Sequence, residues 1–364
     1  MKIFLIDTSG RDTPCQWAQE WKAHSRHNIV LFTPDTASSD SQGDLSDSTF
    51  INIHENFDLG DFDAIVVCGK AAISSLFAKS DTHLSKAPMI LCLYENSFFK
   101  YHLESHHQYA TLFDKIVLAH NVVSIWFNSQ YQKIKFREFL SSILSNLDIR
   151  EKALNLFDFK ANVLPPGLSL KSRFGSEIQE NVKYHRCLVL WNQRWEQAKN
   201  PDLFFKTLIT LAEHGIEFKL AVLGEATKDY PSVFDHAKEV LSEYIVQWGY
   251  VQDEKEYASW LWKADLLPVT AFDDNCLSSV IEAAYCNTVP LLPKRLAYPE
   301  ILPAQYQHTF FYDDNEFAVK LQKRIMDVKY VRTMNTQQWV DRFDWNNIVK
   351  SYDDKIEELI RDFQ

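Results

Sequence analysis

Glycine is scarce in this chain, nine in 364 residues, and few glycines leave few places where a backbone can approach a phosphate without a side chain in the way. Long apolar runs are missing too. No uninterrupted stretch approaches the roughly 18 residues of a membrane-spanning helix. The opening MKIFLID reads as a strand, without the basic region, apolar run and small-residue cleavage site of a secretion signal. The expectation is a soluble, cytoplasmic protein. The six cysteines are scattered, with no CxxC pair and no Cys/His ligand spacing, which speaks against a disulfide framework and structural zinc and leaves buried, reduced thiols. A surplus of cations is also lacking: the net charge of −11 excludes a broad basic surface of the kind that neutralises nucleic-acid phosphates. Only two local runs gather cations, QKIKFR at 132–137 and KYHR at 183–186, and either also reads as a solvated face.

What is present is enough apolar material for two cores, 46% of 364 residues. Apolar strand candidates at 2–6, 28–32, 63–68, 89–94 and 122–127 alternate with longer helical patterns, which predicts a parallel α/β sheet. A second series follows at 187–191, 218–223, 245–248, 265–269 and 289–293. Between them lies a polar stretch without a clear strand, so the expected organisation is a first domain over 1–172, a linker over 173–185 and a second domain over 186–340. The polar segment 36–49 reads as a loop inside the first domain. In WNNIVKSYDDKIEELIRDF, residues Ile348, Tyr352, Ile356, Leu359 and Ile360 fall close to helical spacing, predicting an amphipathic terminal helix over 341–364.

Two segments carry chemistry. In DNCLSSVIEAAYCNTVPLLPKRLAYPE, Asp274 and Glu282 bracket a helix start near Ser278. Unpaired backbone N–H groups and the helix dipole favour an anion there, and the two carboxylates suit hydroxyls. An N-cap acid and a solvated glutamate would leave the same pattern. In CLVLWNQRWEQAKNPDLFFKTLITLAEHG, a strand runs into a helix with Arg194 and Lys199 at the junction, Asn200 as N-cap, Pro201 at the first helical position and Gly215 at the C-terminus. An Arg fork and a Lys point charge together neutralise a diphosphate without a metal. Gly224 and Glu225 close the strand LAVLG, where an open α/β sheet places ligands. Asp253 reads as an N-cap, setting Tyr257 and Trp260 near one helix face. Trp191, Trp195, Trp248, Trp260 and Trp262 read as core or as faces for a nucleobase.

The runs WNQRWEQAKNP, LAVLGE, VQWGYV, Asp274-x7-Glu282 and LLPKRLAYPEILP occur in one order over roughly 186–305. They resemble retaining GT-B glycosyltransferases of family 4, and more narrowly the tRNA-queuosine mannosyltransferase family. The first half matches more thinly through LCLYENSFF, IWFNSQY and VLPPGLSL. Tyr94 stands where the family has His, Leu277 where it has Gly, Asp274 where it has Glu, and the Gly-Gly-Ser-His loop is reduced to DTSGRDTP around Gly10.

The resemblance implies an α/β GT-B fold of two Rossmann-like parallel-sheet domains facing a cleft, with the terminal helix crossing back to the first. It implies a retaining hexosyltransferase that needs no cofactor and no metal, moving mannose from GDP-mannose to an acceptor, queuosine in tRNA. The implied catalytic set is Arg194, Lys199, Asp274 and Glu95. The donor side comprises Glu282, Asn275, Cys276, Leu277, Ser278, Gly224, Glu225 and Arg295, and the acceptor side Tyr94, Asn96, Asn128 and Gly10. The alternatives are a GT-B enzyme with another donor and a modified nucleobase, small molecule or glycan as acceptor, and a GT-B protein that binds without turnover. Of His102, His106 and His107, two are spaced four apart as on one helix face able to bind metal, and no third ligand is evident beside them. Oligomeric state is left open.

Overall fold

The computed structural model describes residues 1–7, 13–33, 59–69, 87–94, 119, 121–144, 147–175, 183–273 and 277–363. The chain forms two compact units, Met1–Leu168 with Trp345–Gln364, and Ser169–Asp344.

In the first unit, strands β1 (Lys2–Asp7), β2 (Asn28–Phe32), β3 (Ala64–Cys68), β4 (Met89–Cys92), β5 (Val122–Phe127) and β6 (Ala161–Val163) form a parallel sheet in the order β2-β1-β3-β4-β5-β6. β3 and β4 are buried at every position, as expected of strands covered on both faces. One face packs on the helices Gln130–Ile143 and Leu147–Lys160 through Phe127, Phe136 and Phe157. The other is covered by Thr13–His24 and by the terminal helix Trp345–Phe363, which buries Trp345, Ile348, Tyr352, Ile356 and Ile360 against Trp17, Trp21 and Trp126. Gly167 is required here: a Cβ on it would lie 2.5 Å from the Trp345 indole. Ion pairs from Arg26 to Asp354 at 2.7 Å and Glu357 at 2.6 Å hold the helix rim.

In the second unit, β7 (Leu188–Trp191), β8 (Lys219–Val222), β9 (Ile245–Trp248), β10 (Leu266–Pro268), β11 (Val289–Pro293) and β12 (Phe311–Tyr312) form a parallel sheet in the order β12-β11-β10-β7-β8-β9. The order reverses between β7 and β10, and in open α/β sheets the crevice beyond the strand C-termini at such a point is where ligands bind. The helix Pro201–Glu213 starts as predicted, with the Asn200 side chain accepting from Leu203 N at 3.4 Å, and Gly215 follows it at φ 72°. Asp253 caps Glu254–Lys263 by accepting from Glu256 N at 2.8 Å.

Trp191 and Trp195 are buried in the aromatic core of this unit. Trp191 packs among Phe204, Phe205 and Phe234, and Trp195 stacks on Phe234 at 4.3 Å and meets Trp248 edge-on at 5.7 Å. Cys68, Cys92, Cys187 and Cys286 are buried free thiols. Among the described residues, no helix is long and apolar enough to cross a membrane, and no group of three or more His, Cys, Asp or Glu side chains is placed to hold a metal.

Candidate functional site

The two motif-bearing segments, bonded to each other across 87 positions of sequence, meet at the C-terminal edge of the second sheet. Thr270 Oγ1 donates to the carbonyls of Lys199 at 2.8 Å and Asn200 at 3.0 Å, and Phe272 N donates to Ala198 O at 2.9 Å. Asn192 Nδ2 donates to Ser279 O at 2.9 Å, tying the end of β7 to the first turn of Ser278–Tyr285. From the other side, Trp195 N donates to Glu225 O at 2.9 Å, joining the loop after β7 to the loop after β8. Gly224 makes that approach possible, since a Cβ on it would clash with the Gln193 carbonyl. Glu225 itself is exposed.

Arg194 projects outward, its side chain 60% exposed and paired with Glu196 at 3.2 Å. Lys199 ends a short 3-10 turn, Gln197–Lys199. Arg295 is consumed in bracing the loop opposite: Nε donates to Ala271 O at 2.9 Å, Nη2 to Thr270 O at 3.1 Å, and Nη1 pairs with Asp314 at 2.7 Å. Its neighbour Leu296 sits at φ 55°, a left-handed conformation costly for a branched side chain. Leu277 occupies the N-cap position of Ser278–Tyr285 at φ −80°. That backbone does not require glycine, so the departure at this position brings no φ strain.

Glu282 is buried, and both its oxygens are engaged. Arg173 Nη1 donates to Oε1 at 2.7 Å and the Tyr257 hydroxyl to Oε2 at 3.0 Å. Burial pushes the Glu282 carboxyl above the usual range despite the Arg173 charge beside it, and burial with Glu282 nearby pushes the Tyr257 hydroxyl well up. Asn192 Nδ2 lies 3.3 Å from the Tyr257 hydroxyl. Around this point polar atoms are buried without hydrogen-bond partners: Asn192 Oδ1, both amide atoms of Gln193, Trp195 Nε1 and Arg173 Nε, the last in an ion pair with Glu254 at 3.4 Å.

In the first unit, Tyr94 turns its hydroxyl into the core, donating to Leu164 O at 2.8 Å and lying 3.1 Å from the Tyr352 hydroxyl. Asn128 Nδ2 donates to the Tyr94 carbonyl at 3.3 Å, and the Ser129 hydroxyl donates to Asn128 Oδ1. Gly10, Glu95, Asn96, His102, His106, His107, Asp274, Asn275 and Cys276 lie outside the described residues.

Both basic runs are answered by their own surroundings. Lys133 Nζ donates to Ala161 O at 2.8 Å, Lys135 pairs with Glu138 and Arg137 with Asp158. Lys183 pairs with Asp265 and Arg186 with Glu217.

Sequence reasoning missed Arg173, Asn192, Gln193 and Thr270 as parts of this edge. Arg173 lies in a stretch without periodicity and pairs 109 residues away. Asn192 and Gln193 lie inside the WNQRWEQAKNP run and Thr270 just before the second segment, and the bonds of Asn192 and Thr270 to backbone carbonyls are ones any sequence supplies.

The chain is 31% identical over 184 residues to the tRNA-queuosine alpha-mannosyltransferase of Drosophila melanogaster, covering 49% of this chain and 48% of that protein. It thus spans about half the length of the relative it matches. No family model matches. Among solved structures, sucrose-phosphate synthase from Thermosynechococcus elongatus superposes with a TM-score of 0.70 at 14% identity over all of both chains. Anabaena HepE in complex with UDP gives 0.69 at 15% identity over 98% of this chain and all of that one. A glycosyltransferase from Rickettsia africae gives 0.66 at 14% identity over 99% and 98%. These likenesses show the fold: two Rossmann-like parallel-sheet units of the GT-B class. They support the sequence resemblance over about half the chain.

Proposed function

We propose that this chain is a nucleotide-sugar-dependent glycosyltransferase that holds its donor at the C-terminal edge of the second sheet. One observation carries the reading: the loop after β7 is bonded through Asn192 to the start of the Ser278–Tyr285 helix and through Ala198 and Lys199 to the segment after β10, at the reversal between β7 and β10 where ligands of open α/β sheets collect. The diphosphate lies against Arg194, Lys199 and the amides at the helix start, and the two cations stabilise negative charge as the sugar–phosphate bond breaks. Glu282 takes the ribose hydroxyls and Asp274 a sugar hydroxyl. The loops after β7 and β8 shape the pocket, and Arg295 keeps the loop leading to Asp274 in place.

The donor is GDP-mannose and the acceptor a queuosine base in tRNA, a reading supported by the name of the Drosophila relative. Retention of configuration and independence from metal belong to the same proposal. The test is a titration of GDP, UDP and ADP with their common sugars into the protein and Arg194→Ala. Binding of GDP-mannose, weakened in the variant, is expected. Binding of a UDP- or ADP-sugar instead would keep the enzyme and discard this donor, and no nucleotide binding at all would discard the enzyme.

A second reading of the acceptor draws on the paired state of both basic runs and the net charge of −11. These favour an uncharged or small acceptor over tRNA. Transfer of labelled mannose to queuosine-containing tRNA decides between them, since a small-molecule enzyme leaves the tRNA unlabelled.

A further inference from the structure

The bonds around Glu282 divide its acceptor capacity in a particular way. A carboxylate offers about four acceptor positions, two on each oxygen. Arg173 takes one on Oε1 and Tyr257 one on Oε2. Each oxygen therefore keeps one position, and two adjacent acceptors of one carboxylate match two vicinal hydroxyls.

The holders are themselves held. Arg173 lies in the short helix Leu170–Phe174, with its guanidinium carbon 4.8 Å from the centre of the Phe174 ring and Nε 3.4 Å from Glu254 Oε1. That last contact is an ion pair whose geometry falls short of a hydrogen bond. Tyr257 stands on Glu254–Lys263, and Asn192 spans from its hydroxyl to Ser279 O at the first turn of the Glu282 helix. Two segments thus hold one carboxylate beside the proposed phosphate site, and Asn192 ties one of them to the helix that carries it.

Stability is a poor explanation for this arrangement. A buried ion pair contributes little net, because desolvation offsets the attraction, and apolar side chains of similar size often do as well. A carboxylate that must stay ionised and aimed has a different need, and a fixed fork on one oxygen with a hydroxyl on the other meets it.

We propose that Arg173 and Tyr257 are positioning residues that orient Glu282 to read the vicinal hydroxyls of the donor's ribose, one hydroxyl on each oxygen. The inference rests on the donor reading above.

The experiment compares GDP with 2′,3′-dideoxy-GDP by calorimetry, with the UDP pair in parallel, on the full chain and on Arg173→Ala, Arg173→Lys and Tyr257→Phe. Thermal unfolding of each variant verifies that it is folded. The wild type is expected to prefer the ribo form by about tenfold or more, the worth of one charge-assisted hydrogen bond. Arg173→Ala should bring the ratio close to one, Arg173→Lys should regain part of it, and Tyr257→Phe should lower it by a smaller factor. The ratio is the telling quantity, because a purely structural defect weakens both ligands alike. A wild-type ratio retained in both Arg173→Ala and Tyr257→Phe overturns the positioning role and leaves the donor reading intact. Equal binding of both forms by the wild type overturns it by removing Glu282 from the ribose. Binding of neither nucleotide overturns it together with the donor reading.

Discussion

The two ends of the second sheet treat buried polarity in opposite ways. At the N-terminal end, Asp265 is 1% exposed and its carboxylate is fully met: Leu188 N donates at 2.9 Å, Arg332 Nε and Nη2 at 2.8 and 2.9 Å, and Lys183 Nζ stands 3.7 Å away. At the C-terminal end, Gln193 is 5% exposed with neither amide atom paired, and Asn192 and Trp195 each bury an unpaired polar atom. A buried polar group without a partner costs about 1–3 kcal/mol, and four such atoms fall on this one short loop. One end of the sheet has its buried carboxylate fully paired, and the other, where the two motifs meet, buries polar atoms without hydrogen-bond partners.

The largest expected effect lies at Asp265. Asp265→Ala leaves the Arg332 guanidinium with only backbone carbonyls of Tyr184 and Arg186. It should cost about 3–5 kcal/mol, as breaking one side of a buried pair does, read by denaturant unfolding; nucleotide affinity of the folded fraction should be unchanged. Arg194→Ala should do the reverse. Its side chain is mostly exposed, so stability should move by no more than about 0.5 kcal/mol, while kcat falls about 100- to 1000-fold through lost charge stabilisation. A large stability loss in Arg194→Ala would erase the contrast.

Lys160 gives a pH-dependent control from the first unit. It is buried, donates to Ala119 O at 2.8 Å, and burial pushes it down to about 8. The unfolded chain holds that proton to about 10.4, so between these values the unfolded state binds more protons and stability rises with pH. Relative to Lys160→Met, the wild type should gain about 2 kcal/mol between pH 8 and 10 in urea unfolding. A flat difference would mean the ammonium is hydrated. A small effect of the opposite sign is expected at Gln193→Leu, which removes two unpaired polar atoms. Stability should stay level or rise by about 1 kcal/mol, while kcat/KM with the nucleotide-sugar falls.

Much of the fold was legible. The ten anticipated strands lie within a residue or two of the observed ones, because strands buried on both faces spell continuous apolar runs. The caps at Asn200 and Asp253 and the left-handed Gly215 were readable because each meets a local backbone requirement. β6 and β12 escaped, since three and two residues carry no pattern. Of the candidate site, the motifs were visible and their wiring was not. Arg173 reaches Glu282 from 109 positions away, and nothing local marks that pairing. Tyr94 stands where the family has His, and its hydroxyl serves Leu164 and Tyr352 in an aromatic core. Gly224, read as a donor-side glycine, is needed at least for the close passage of the Gln193 backbone.

The most direct test of the account is hydrogen exchange of the full chain with and without saturating GDP. Slower exchange concentrated in residues 192–200 and 277–285, with Asp265 and its neighbours unchanged, is the predicted result. Protection elsewhere in the chain, with these two segments unaffected, would contradict the placement of the donor at this edge of the sheet.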